Sequence, residues 1–120
     1  MKERLRLIGI NSPESVDPRR PVECFGKEAS KYASSILSGQ GVIIETDSSQ
    51  GLLDKYGRTL AYVFLPDGHN FNELMIREGY AYEYTYNKPY KYQKIFKSAQ
   101  VTARDKQRGL WSPQTCDGKK

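Results

Sequence analysis

Arg6-Leu7-Ile8-Gly9-Ile10-Asn11-Ser12-Pro13-Glu14 is the stretch on which the reading of this chain turns. Leu5, Leu7, Ile8 and Ile10 are apolar and strand-tolerant, which predicts a buried strand over residues 4–10. Pro13 has no N–H and pushes Ser12 toward extended geometry, so the ladder should end there. Arg6 is the anomaly, because a charge inside an apolar strand is costly unless it is paired or faces a working cleft. Asn11, Ser12 and Glu14 then supply an amide, a hydroxyl and a carboxylate. A guanidinium and several oxygen donors leaving one strand end suit a site for an anion and a metal. Taken alone, the stretch reads more simply as a barrel-rim arginine paired with a nearby acid.

A second stretch has the same character. Asp54-Lys55-Tyr56-Gly57-Arg58 opens the strand Thr59-Leu60-Ala61-Tyr62-Val63-Phe64. Gly57 permits a tight turn or bulge, and Arg58 again stands at the edge of an apolar strand. Two arginines so placed suit a phosphate that gains charge during reaction, since each planar fork grips two oxygens.

The rest of the chain frames these two stretches. Its 120 residues support one domain with a modest core, over residues 1–112, followed by a tail at 113–120. A net charge of +5 favours a polyanionic partner. No run of eighteen apolar residues exists to span a membrane. Residues 15–23 read as a loop whose Arg19 and Arg20 either attract phosphates or are merely solvated. A helix is predicted over 26–38, with Ala29, Tyr32, Ala33, Ile36 and Leu37 on its apolar face. A short strand follows within 41–47. The turn Leu65-Pro66-Asp67-Gly68 holds His69, the one histidine, read as a solvated turn residue. Asn70 caps a short helix over 71–78 in a capping-box-like arrangement with Glu73. Residues 80–92 interleave tyrosines with lysines, a composition that either stacks bases or packs. A last helix covers 89–108 with Ile95, Phe96, Ala99 and Ala103 on one face, and Leu110 and Trp111 fold back after it. Cys24 and Cys116 are either a disulfide or two separate thiols.

Five pieces, RLIGINSPE, CFGKEAS, DKYGRTLAYVF, NFNELMIREGYA and GLWS, occur in an order and at spacings that resemble the staphylococcal nuclease (thermonuclease) family over residues 4–112. The resemblance implies an α+β, mainly β fold: a five-stranded OB-fold barrel with three helices. It implies a calcium-dependent nuclease that hydrolyses DNA and RNA phosphodiesters. By position, Arg6 and Arg58 would clamp the phosphate and Glu14 would act as the general base. Asn11 and Ser12 would fall at the metal, Lys55 and Tyr56 at a terminal phosphate of a bound nucleotide. Tyrosines near Tyr84 and Tyr86 would line the nucleotide pocket, although a gapless match puts Thr85 and Asn87 at those positions. The resemblance also implies that Cys24 pairs with Cys116, and that the protein is secreted or at the cell surface.

Two departures from the pattern carry expectations of their own. Asn11 offers a neutral carbonyl where the family has an acidic calcium ligand. The family's first two strands, with their Asp-Gly-Asp-Thr-like turn, would lie before residue 4. The expected barrel is therefore incomplete at its N-terminal side, its calcium site short of a ligand, and its activity reduced or absent. An open sheet edge would then favour self-association. The alternative of another class is an OB-fold module that binds single-stranded DNA or RNA without cleaving it. Arg6, Glu14 and Arg58 together favour the nuclease.

Overall fold

The computed structural model describes residues 4–13 and 23–119. The expectations placed on Glu14, Arg19 and Arg20 therefore lie outside the described residues. Three helices and two small sheets make an α+β fold. In chain order they are β1 (Leu5–Leu7), β2 (Ile10–Asn11), α1 (Gly26–Leu37), β3 (Ile43–Glu45), β4 (Thr59–Phe64), α2 (Phe71–Arg77), β5 (Tyr82–Glu83) and α3 (Gln93–Asp105). A 3-10 turn at Gly109–Trp111 follows them.

The strand expected over 4–10 is broken in two, and Gly9 is the reason. Its φ of +83° is a left-handed backbone that an L side chain adopts only with strain. A Cβ there would also sit 2.6–2.7 Å from the rings of Phe96 and Tyr90. At this kink the chain changes sheets. β1 pairs in parallel with β4, Arg6 opposite Leu60, whereas β2 pairs antiparallel with β5, Asn11 opposite Tyr82. The larger sheet has the order β1-β4-β3, and among the described residues the two sheets do not close into a barrel.

α1 lays Ala29, Tyr32, Ala33, Ile36 and Leu37 against the core, as its spacing predicts, and Tyr32 stacks on Tyr80 with centroids 4.1 Å apart. Asn70 caps α2 by accepting from the Glu73 N–H. The last helix begins at Gln93 rather than near residue 89, so Pro89, Tyr90 and Tyr92 belong to the approach to it. Phe96, Ala99 and Ala103 are its buried face, whereas Ile95, expected there, is half exposed. β5 was not expected, and it runs through the tyrosine-rich stretch. Cys24 and Cys116 form a disulfide with Cα atoms 5.9 Å apart across 92 residues, fastening the tail to the entry of α1. In the chain-entropy picture so long a closed loop stabilises by about 4 kcal/mol.

Two polar side chains are buried in this core. Asn72 is fully buried, donates to the carbonyls of Ile8 (3.0 Å) and Ala61 (3.2 Å), and accepts from the Val63 N–H (3.1 Å). Asp47 accepts from the Tyr62 hydroxyl at 2.6 Å, from the Lys91 N–H at 2.9 Å and from both the N–H and hydroxyl of Ser49. Burial opposes the charge of Asp47, but the bonds from Tyr62, Lys91 and Ser49 outweigh it and hold the carboxyl down at about 2. A depressed carboxyl stabilises the fold above its unfolded value near 4 and loses that contribution as the pH falls toward 2. Urea denaturation across this window is expected to cost the protein about 2 kcal/mol more than it costs Asp47→Asn. Parallel stability curves for the two proteins would show that Asp47 is not the source.

Candidate active site

A cleft of about 550 Å³ opens where β1, the turn before β4 and the residues after β5 meet. Arg6, Asn11, Lys55, Tyr56, Arg58, Tyr84 and Tyr86 all line it. The register explains the pairing of the arginines. Arg6 stands opposite Leu60, and Arg58 lies two residues before Leu60 and so projects to the same side. Arg6 also donates to the carbonyl of Leu7 at 2.9 Å, and its guanidinium lies 5.9 Å from the centre of the Tyr84 ring. Burial, together with the charge of Arg58, lowers the Arg6 pKa from its ordinary value. Both effects work in the direction that an arriving anion would reverse.

Arg58 is held by Asp54, a residue the sequence placed in the motif without a role. One oxygen of Asp54 accepts from the N–H groups of Tyr56 and Arg58, each at 2.9 Å, and the other accepts from Arg58 Nε at 2.7 Å. Gly57, at φ +79°, lets the turn close around that carboxylate. Burial raises the Asp54 pKa, but the bonds from Arg58 and Tyr56 overcome this and lower it below the ordinary aspartate value. The spacing of Asp54 and Arg58 around a glycine was the available signal. The exposed Tyr56 ring lies 5.5 Å from the Arg58 guanidinium and 5.2 Å from Lys55 Nζ. Gln50, also unforeseen, lines the cleft and donates from Nε2 to the carbonyls of Lys88 (3.1 Å) and Pro89 (3.3 Å).

Tyr84 and Tyr86 face the cleft, not Thr85 and Asn87 as a gapless match would put them. Their rings are 25° from parallel with centroids 6.5 Å apart. The other tyrosines of the stretch pack: Tyr80 on Tyr32, Tyr82 edge-on to Trp111, and Tyr90 and Tyr92 beside Phe96. His69 stays exposed in its turn, 2.9 Å from Asp67. Ser12 is exposed and stands outside the lining.

A calcium ion takes six to eight oxygens, several of them charged. Among the described residues no group of three or more acidic, histidine or cysteine side chains could hold a metal. Asp54, the carboxylate among the described lining residues, spends both oxygens on Tyr56 and Arg58. Asn11 brings only a neutral amide. The described residues by themselves do not make a calcium site.

The family model of staphylococcal nuclease homologues matches residues 4–113. The chain belongs to this family. It is 41% identical over 111 residues to a thermonuclease of Staphylococcus hyicus, covering 92% of this chain and 64% of that protein. A thermonuclease of Staphylococcus intermedius is 43% identical over 109 residues, covering 91% of this chain and 63% of that protein. An SPbeta prophage-derived endonuclease of Bacillus subtilis is 32% identical over 111 residues, covering 92% of this chain and 37% of that protein. The chain thus spans just under two thirds of the length of the two thermonucleases.

The Asp54 brace yields a direct test. Asp54→Asn keeps the size of the side chain but removes its charge, so Arg58 Nε loses a charge-assisted bond. If the cleft takes a nucleotide, as proposed below, affinity for a 5′-phosphorylated dinucleotide, measured by calorimetry, is expected to fall by roughly ten-fold. An unchanged affinity would mean that Arg58 is held in place without Asp54.

Proposed function

We propose that this chain carries the phosphodiester-hydrolysing site of a sugar-non-specific nuclease acting on DNA and RNA. The observation that carries the reading is the cleft itself, in which an arginine of β1 and one just before β4 point the same way between tyrosine walls. Arg6 and Arg58 neutralise the phosphate as it gains charge toward the pentacovalent transition state. Glu14 orients or deprotonates the attacking water, a role that comes from the family motif and from its place just beyond Asn11. Lys55 and Tyr56 hold a flanking phosphate, and Tyr84 and Tyr86 hold a base. None of these groups reads a base edge, so specificity follows strand accessibility, and single-stranded DNA or RNA is the preferred partner.

Calcium belongs to the reading as the family's metal, with Asn11 and Ser12 beside it and its charged ligands supplied from outside the described residues. The OB-type barrel belongs to the reading as the family's fold. A secreted or cell-surface location also belongs to the reading, supported by the Cys24–Cys116 bridge, which persists in oxidising surroundings. No helix among the described residues is long and apolar enough to cross a membrane.

The experiment is hydrolysis of single-stranded DNA, with and without calcium. Arg58→Ala and Glu14→Gln are each expected to cut turnover by about 100-fold or more while the fold persists, as loss of a transition-state contact does. Cleavage that needs no calcium and survives both changes would reject the mechanism. Binding without any cleavage would favour the non-catalytic module.

The 120-residue chain is also expected to self-associate. β3 is an outer strand of its sheet among the described residues, Ile43 and Ile44 are 69% and 38% exposed along it, and Val42 just before it is 39% exposed. Light scattering over a concentration series should show mass rising with concentration. A constant monomer mass would overturn this expectation.

A further inference from the structure

Tyr84 and Tyr86 are 40% and 70% exposed, so their own packing does little to fix them. They nevertheless stand nearly parallel on the cleft wall. The order comes from the side chains behind them. Thr85 lies between the two, and its hydroxyl donates to Glu83 Oε2 at 2.8 Å while accepting from Gln93 Nε2 at 2.8 Å. The same carboxylate oxygen accepts from the Tyr90 hydroxyl at 2.7 Å. Tyr90 is buried, and burial followed by the Glu83 carboxylate pushes its phenol far above the ordinary tyrosine range, which keeps it a donor. The backbone is fixed on either side: the Glu83 N–H donates to Gln100 Oε1 and the Tyr84 N–H to the carbonyl of Gly9, each at 2.8 Å. Glu83 and Thr85 are thus joined to the loop before α3 and to α3 itself, while the tyrosines face the other way.

We infer that Thr85, anchored by Glu83, Tyr90 and Gln93, is the positioning residue that holds Tyr84 and Tyr86 as a preorganised platform for a nucleobase. Two exposed rings free to turn would each give up rotamer freedom on binding a base, whereas a pair fixed from behind has already done so. The arginines act on phosphate wherever it lies, so the Thr85 network governs only the part of affinity that depends on bases. The inference rests on the proposed reading of the cleft as a nucleic-acid site.

The test measures binding rather than turnover, so it does not depend on hydrolysis. Fluorescence anisotropy in EDTA compares a labelled oligothymidylate of about ten nucleotides with an abasic oligomer of equal length. The 120-residue chain is expected to bind the oligothymidylate about ten-fold more tightly, the scale of a stacked base. Thr85→Val, which keeps the shape and removes the hydroxyl, should bring that affinity close to the abasic level and leave abasic binding within about two-fold. Thr85→Ser should restore it, and Tyr90→Phe, which frees Glu83 of one donor, should act in the same direction as Thr85→Val. A Thr85→Val protein that binds both oligomers as the parent does, or that loses equally on both, would overturn the inference. So would a parent chain with no preference for bases. Binding to neither oligomer would sink the nucleic-acid reading itself. Binding with the expected pattern but no hydrolysis in calcium would leave the inference standing and remove only the nuclease.

Discussion

The amide of Asn72 is the contact on which the arrangement depends. From α2 it reaches the carbonyl of Ile8 at the end of β1 and both backbone polarities of β4, at Ala61 and Val63. An amide has two donors and one oxygen, so a single side chain can join two strands that run in parallel and the helix that covers them. Its full burial makes that satisfaction compulsory, because an unpaired polar group in the interior costs about 1–3 kcal/mol. Holding Ile8 also fixes the point just before Gly9, where the chain leaves one sheet for the other. The relation of Arg6 to Arg58 follows from this, since the Arg6–Leu60 register lies two residues before Ile8.

The cleft built on this frame holds like charges together. Arg6 and Arg58 lie close enough for the second to weaken the protonation of the first. The frame meets this repulsion unevenly. Arg58 has Asp54 in its own turn as a counter-charge, whereas among the described residues Arg6 bonds to a backbone carbonyl and lies against the face of Tyr84. Arg6 is thus the arginine with more to gain from an incoming phosphate, and Arg58 is the one whose direction is set beforehand. Preorganised donors of this kind need little rearrangement when charge develops on a bound group.

Asp47 does for the loop side what Asn72 does for the sheet side. It joins the residues after β3 to Tyr62 on β4 and to the backbone of Lys91 before α3. With Gln50 reaching Lys88 and Pro89, it carries the approach to α3 alongside the cleft. The Glu83 and Thr85 network then uses that same approach, through Tyr90 and Gln93, as its support.

The sequence by itself determined the local pieces. The apolar spacing placed α1 and most of the buried face of α3, Asn70 marked the start of α2, and Gly57 marked a tight turn before Arg58. It also singled out Arg6 and Arg58, because a charge inside an apolar strand is conspicuous in one dimension. Only the tertiary structure decided how these pieces meet. It broke residues 4–10 at Gly9, formed β5 in a stretch read only as tyrosines that stack bases or pack, and turned Tyr84 and Tyr86 rather than Thr85 toward the cleft. It also gave Asn72, Asp47 and Asp54 their partners. The physical reason is that periodicity reports which face of an element is apolar, not which distant segment will cover it. The Asn72 amide meets a carbonyl 64 residues away, and the two cysteines meet across 92 residues. Contacts of that span leave no local pattern, and they are the ones that bring two strand-edge arginines into one cleft.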